Sequence, residues 1–135
     1  MNPLATLIED AARRHADQLA FIDRTTETRH TATYSQLLSQ VRRSAYRLRK
    51  NGLQNQQRVL LAAANQLDFP AAWLGAIYTG ATIVPAPILS SMRDLVFRLR
   101  HAQCDLAIVD QAREPLMREA IALAGGSIAL VRIED

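Results

Sequence analysis

Six serines, three histidines, one cysteine and one lysine are the side chains of this 135-residue sequence that most readily support nucleophilic or acid–base chemistry. Their spacing builds no reaction centre. Ser35, Ser39, Ser44, Ser90, Ser91 and Ser127 all lack the GxSxG setting that raises a serine on a strand-to-helix elbow. His15, His30 and His101 lie far apart, without metal-ligand spacing, and read as surface or structural histidines. Cys104 stands alone, so it forms neither an internal disulfide nor a thiolate zinc site; it reads as a half-buried inert thiol, suited to a reducing compartment. Lys50, the only lysine, falls on a helix surface, which leaves no Walker-type or Schiff-base lysine. Gly125-Gly126 precede a strand, whereas a phosphate cradle needs glycines that open a helix, and there is no GxGxxG.

The remaining candidates depend on the elements that place them. Asn2 caps an opening helix with Pro3 at its first position, and Leu4, Leu7, Ile8 and Ala11 recur on one face. Leu19 to Asp23 and Thr28 to Thr33 read as a hairpin joined by Arg24 to Glu27. Thr33 and Gln36 form a capping box for a helix with an apolar stripe at Tyr34, Leu37, Leu38, Val41, Ala45 and Leu48, stopped at Asn51-Gly52.

From Arg58 onward strands and helices alternate. Val59 to Ala64 is an unbroken apolar strand of the kind buried on both faces of a parallel sheet. Asp68 is expected to cap a helix from Phe69 to Thr79, closed by Gly80, and Thr82 to Val84 is the next strand. Ser91 caps a helix that turns Leu95, Val96, Leu99 and Ala102 inward. Leu106 to Val109, a helix from Pro115 to Ala124, and a strand from Ser127 to Ile133 complete the pattern. The fold class is therefore α/β: a three-layer open parallel sheet with helices on both faces, preceded by a helix, a β-hairpin and a second helix. Residues 1–57 form the front part and 58–135 the parallel βαβ part.

In such a sheet ligands sit outside the carboxyl ends of the strands. The residues there are Asn65 and Gln66, the stretch from Pro85 to Ser91, and Asp110 to Arg113. Asp110 is the one carboxylate at a strand end, and it reads as the cap of the helix that follows. A receiver-type signalling domain shares this layout, but its acidic cluster and strand-end lysine are missing.

Charge excludes more than it suggests. The net charge of +3 comes from sixteen bases interspersed with thirteen acids, and aromatics make up only 5% of the chain, so no basic stripe with stacking partners marks a nucleic-acid surface. Arg42, Arg43, Arg47, Arg49 and Lys50 read as a solvated helix face. Residues 69–92 carry no charge, yet Gly80, Pro85 and Pro87 break them into a buried helix and a buried strand, not a membrane span. Glu9, Asp10, Arg13, Arg14 and Asp17 argue against a secretory signal in the first twenty residues.

Set end to end, these segments resemble a known family. Arg14 to Asp23 resembles the opening strand of the adenylate-forming (AMP-binding) superfamily, which includes acyl- and aryl-CoA synthetases, peptide-synthetase adenylation domains and luciferases. Thr33-Tyr34-Ser35-Gln36-Leu37 is similar to its "TYxEL" helix start, and Ala45 to Leu53 to its continuation. Arg58-Val59-Leu60-Leu61 with Asn65, Phe69, Leu74 and Gly75 resembles the next strand and helix, and Gly80 to Pro85 resembles its "GavvvP" turn. The Leu95 to Val109 helix and strand also fit. Gln36 replaces the usual Glu, and Gln56-Gln57 stand where Gly-Asp normally precede the strand; both positions are structural.

The resemblance implies the N-terminal portion of an ATP-dependent carboxylic acid ligase. Such an enzyme joins an acid to AMP and then passes the acyl group to a pantetheine thiol, of CoA or a carrier protein. It implies ATP, Mg and CoA for the whole enzyme, the remainder of the ligase chain and a carboxylic acid as partners, and a cytoplasmic setting. Family members are several times longer, and their phosphate loop and catalytic lysine lie in segments with no counterpart here. No residue matches a catalytic, cofactor-binding or metal-binding position, so the chain is expected to be inactive alone and to bind none of these groups itself. The end at Asp135, just after a strand, favours a truncated or split enzyme, whose bared apolar surface would drive self-association. Two alternatives stand beside it: a non-enzymatic α/β scaffold or interaction module that keeps the fold without the active site, and a small nucleotide-binding protein with an unconventional site.

Overall fold

The computed structural model describes residues 2–24, 27 and 29–135. Helix α1 (Pro3–Arg14) starts where Asn2 accepts a 2.8 Å hydrogen bond from the Ala5 amide, one of the donors a first helical turn leaves unpaired. Strands β1 (Leu19–Asp23) and β2 (His30–Thr33) pair antiparallel, with Asp23 opposite His30 and an irregularity between Leu19 and Phe21. The expected start of the second strand at Thr28 lies outside the described residues. Helix α2 (Tyr34–Lys50) opens on the expected capping box, in which the Thr33 amide donates to Gln36 Oε1 at 2.9 Å and the Gln36 amide to Thr33 Oγ1 at 3.2 Å. It stops at Gly52, whose φ of +95° suits a residue without a Cβ.

The expected apolar stripe of α1 is only partly buried: Ile8 and Ala11 are half-buried, and the burial centres on the neighbouring alanines. Ala5 and Ala12 are buried, while Leu4 and Leu7 are 54% and 65% exposed. The Asn2 side-chain amide donates to the Ile77 carbonyl at 2.9 Å, and this tertiary contact helps set which side of α1 faces α3.

The body alternates β3 (Arg58–Ala62), α3 (Asp68–Tyr78), β4 (Thr82–Pro85), α4 (Met92–His101), β5 (Leu106–Val109), a short 3-10 turn (Gln111–Arg113), α5 (Glu114–Ala124) and β6 (Ala129–Arg132). All four strands are parallel, in the order β4-β3-β5-β6. Strand alternation sorts the core into two layers. Val59, Leu61, Leu106 and Ile108 pack with Leu48 of α2 and with Ala72 and Ala76 of α3. Leu60, Ala62, Ala107 and Val109 pack on the opposite face with Leu95 and Leu99 of α4 and with Met117 and Ala120 of α5. Each fully buried aliphatic there contributes about 1.5–3 kcal/mol. Helices therefore cover both faces, as the alternating pattern requires.

Several local expectations change: β3 ends at Ala62 and β6 spans only Ala129–Arg132, both short of the expected runs, the edge strand β4 is half-buried, and two helix starts move. Asp68 does not cap α3: Leu67 holds the cap position without a side-chain bond, and Asp68 is the first helical residue. The Leu67 amide is already served by Asp23 Oδ2 of β1 at 3.0 Å, so a tertiary acceptor does work that a local cap does elsewhere. The last helix begins at Glu114, one residue early, and a 3-10 turn capped by Asp110 precedes it.

Candidate functional site

The sheet has one topological switch point. From β3 the chain leaves through α3 on one face to reach β4. From β5 it leaves through α5 on the other face to reach β6. The β3–α3 and β5–α5 loops therefore diverge at the carboxyl ends of adjacent strands, where open α/β sheets bind ligands. Asn65 and Gln66 stand on one side of this crevice and Asp110 to Arg113 on the other, as their sequence positions anticipate.

Asp110 closes the crevice. It is 5% exposed, and its Oδ2 accepts a 2.8 Å bond from the Ala64 amide across the divide. Oδ1 accepts from the Arg113 amide at 3.0 Å, and the Arg113 guanidinium forms an ion pair with Oδ2. Nε of the same guanidinium donates to the Ile88 carbonyl of the β4–α4 loop at 3.1 Å. The Gln111 amide donates to Glu134 Oε1, beyond β6, at 3.1 Å. One carboxylate–guanidinium pair and one neighbouring amide thus tie together the chain ends that follow all four strands. The open hollow above, lined by Gln66, Asp110, Gln111, Ala112 and Glu134, has a floor whose charges are already engaged.

A second concavity of about 340 Å³ lies where the hairpin meets the start of α3, between Phe21 to Arg24 and Asn65 to Pro70. Its walls are largely Phe21, Ile22, Phe69 and Pro70. Sequence reasoning missed it because the two segments are more than forty positions apart and no local pattern links them. Gln66 borders both concavities, and its Nε2 is buried with no hydrogen-bond partner among the described residues. Nearby, burial pushes the Asp68 carboxyl above its ordinary value, with the Glu134 charge adding to the rise.

The other chemistry-bearing residues do not converge. The His101 ring stacks on Phe97 with centroids 5.0 Å apart, and the His15 ring lies 6.0 Å from Tyr34. Lys50 sits over the Tyr46 ring. Cys104 is buried, and burial pushes its thiol up to about 11. Ser91 caps α4 and Ser90 Oγ donates to the Pro87 carbonyl, so both serve the chain locally. Gly125 and Gly126 both have positive φ and end α5. Arg42 is engaged by Glu9, and Arg47 donates to the Arg132 carbonyl, so the cationic helix face is partly consumed within the fold. Among the described residues no group of three or more His, Cys, Asp or Glu side chains is placed to hold a metal ion, and no helix is long and apolar enough to cross a membrane.

This parallel sheet, its flanking helices and the motifs along them place the chain in the family of AMP-binding enzymes, which matches residues 8–133. Among curated relatives, the benzoate–CoA ligase of Thauera aromatica is 31% identical over 105 residues, covering 70% of this chain and 20% of that protein. The probable long-chain-fatty-acid–AMP ligase FadD30 of Mycobacterium tuberculosis is 33% identical over 137 residues, covering 95% of this chain and 23% of that protein. A benzoate CoA ligase from Burkholderia xenovorans superposes with a TM-score of 0.84 at 28% identity, covering 98% of this chain and 26% of that chain. The N-terminal domain of FACL13 from Mycobacterium tuberculosis gives 0.86 at 22% identity, covering 98% and 33%, a likeness of fold alone. The chain thus spans about a fifth to a quarter of the curated relatives it matches.

Proposed function

We propose that the chain is the N-terminal portion of an ATP-dependent acyl or aryl acid ligase. That enzyme activates a carboxylic acid as its acyl-adenylate and hands the acyl group to a pantetheine thiol in the cytoplasm. The observation that carries this reading is the family match across nearly the whole chain, set against the small share of each relative that the chain spans. Residues 1–57 serve as the front of the scaffold and 58–135 as its sheet. At the switch point Asp110 and Arg113 are spent on each other and on backbone groups, which supports a portion that binds no ATP, Mg or CoA by itself. This portion is accordingly inactive alone. Purified chain is expected to give no ATP–pyrophosphate exchange with any carboxylic acid, and measurable exchange would overturn its inactivity. Reading the encoding transcript past Asp135 tests the ligase assignment: a Ser/Thr/Gly-rich loop ending in lysine supports it, and an immediate stop codon sinks it.

The engaged floor of the crevice also favours a second reading, a non-enzymatic scaffold or interaction module, and the stop codon would decide for it. Both sheet edges, β4 and β6, pair on one side only among the described residues, and an unpaired edge is a template for another chain. The isolated chain is therefore expected to self-associate, with a dimer mass by light scattering; a monomer at high concentration counts against a truncated origin.

A further inference from the structure

We propose that Arg113 is a positioning residue: its guanidinium holds the β4–α4 loop onto the β5–α5 turn and so presents the aliphatic tip Ile88–Leu89 in one place beside the switch-point crevice. This goes beyond the ligase reading and does not depend on it. Three observations carry it. First, the tip is bare, with Ile88 49% and Leu89 90% exposed, so packing does not hold it where it is. Second, the loop from Ala86 to Ser90 has few backbone anchors: the Ala86 amide donates to Leu61 and the Ser90 amide closes a turn on Pro87 at 3.0 Å. Third, the contact that joins its centre to the rest of the edge is Arg113 Nε to the Ile88 carbonyl at 3.1 Å, while the other arm of the guanidinium is fixed by the buried Asp110.

Geometry makes arginine specific here. A planar fork donates from Nε to one acceptor and from a terminal nitrogen to another at the same time, whereas the lysine ammonium is a single point that serves one of them. Pro87 restricts the loop further by fixing φ at one of its positions. Because Asp110 also bonds the Ala64 amide, the positions of the β4–α4 and β3–α3 loops are coupled through one ion pair.

Hydrogen exchange on the full 135-residue chain tests this, read at the Ser90 amide and across Leu106–Val109. In Arg113→Lys, which should retain the pair with Asp110 and the parent's thermal midpoint, the Ser90 amide should exchange about tenfold faster than in the parent, the loss of one charge-assisted hydrogen bond, while the β5 amides keep their protection. Arg113→Ala also strands the buried Asp110 carboxylate, so it should lower the thermal midpoint and accelerate β5 as well as Ser90. That split separates a positioning role from general stabilisation. Unchanged exchange at Ser90 in either variant overturns the proposal, and so does equal acceleration at Ser90 and in β5 in Arg113→Lys. Should the alanine variant fail to fold, Arg113→Lys alone decides between these outcomes.

Discussion

Tyr78 and Glu9 stand 69 positions apart in the chain, and the Tyr78 hydroxyl donates to Glu9 Oε1 at 2.6 Å. Arg42 of α2 grips the same carboxylate through Nε and Nη2, at 3.1 and 2.7 Å to Oε1. One side chain of α1 is thereby bonded to both α2 and α3. Those contacts, the Arg42 bond first and Tyr78 second, hold the Glu9 carboxyl below the ordinary glutamate value of 4.5. A carboxylate with a lowered value in the folded state contributes stability that is complete above about 4.5 and fades as the pH falls below it. Tyr78→Phe should cost about 1 kcal/mol, less than a fully buried bond because Glu9 is partly solvated. Amide exchange in α1 should show the loss locally, and the difference between variant and parent should shrink in acid. A difference that persists at pH 2 would place the tyrosine's contribution elsewhere.

Asp110 offers a larger effect. Asp110→Ala strands the Ala64 and Arg113 amides and leaves the Arg113 guanidinium, itself mostly buried, without its counter-ion. Breaking such a pair from one side costs about 3 kcal/mol or more. Urea titration should show an earlier midpoint with little change in slope. Asp110→Asn keeps an acceptor and should fall between the two; an alanine variant as stable as the parent would show that the crevice is not held by this residue.

Cys104 should be chemically quiet. With the thiol pushed up to about 11, against 9.0 for an ordinary thiol, its thiolate fraction near pH 8 is about a hundredfold smaller. Iodoacetamide labelling followed by intact mass should therefore be slow in the folded chain and fast in denaturant. The folded state holds this proton more tightly than the unfolded one, so the contribution to stability is lost as the pH rises above about 9. Rapid labelling of the native chain at pH 8 would contradict the buried placement.

At Gly75 helix α3 packs tightly on α2. A Cβ there would lie 2.6 Å from Ser44 Oγ and 2.7 Å from Ser44 Cβ, and 3.2 Å from the Ala45 nitrogen. Gly75→Ala should destabilise by about 2 kcal/mol despite its better helix propensity. Adding Ser44→Gly should recover part of that loss in a double-mutant cycle, whereas strictly additive effects would deny the contact.

What the sequence revealed follows the range of the interactions. The caps at Asn2, Thr33, Ser91 and Asp110 were readable because a side-chain oxygen and the amide it serves lie three residues apart, and the two-faced core was readable from strand alternation. The Asp68 cap failed because Asp23, far away in the chain, supplies the acceptor at that helix start. The face of α1 misled because its docking depends on Ile77 and Tyr78. At the crevice the candidates could be placed from strand ends alone, and Asp110 was legible as a cap, but its ion pair with Arg113 was not read from the sequence. The second hydrogen bond of Arg113, to a carbonyl twenty-five positions earlier, left no local trace.

The strand order also sets a timetable for synthesis. β3 takes its two partners from β4 and β5, and both are translated after it. When Ala62 leaves the ribosome, nothing already made can pair with that strand. Its run of buried aliphatics must wait for Pro85 on one side and Val109 on the other. The nascent chain therefore carries this apolar strand without its full pairing through nearly fifty further residues, the interval in which a chaperone has most to shield.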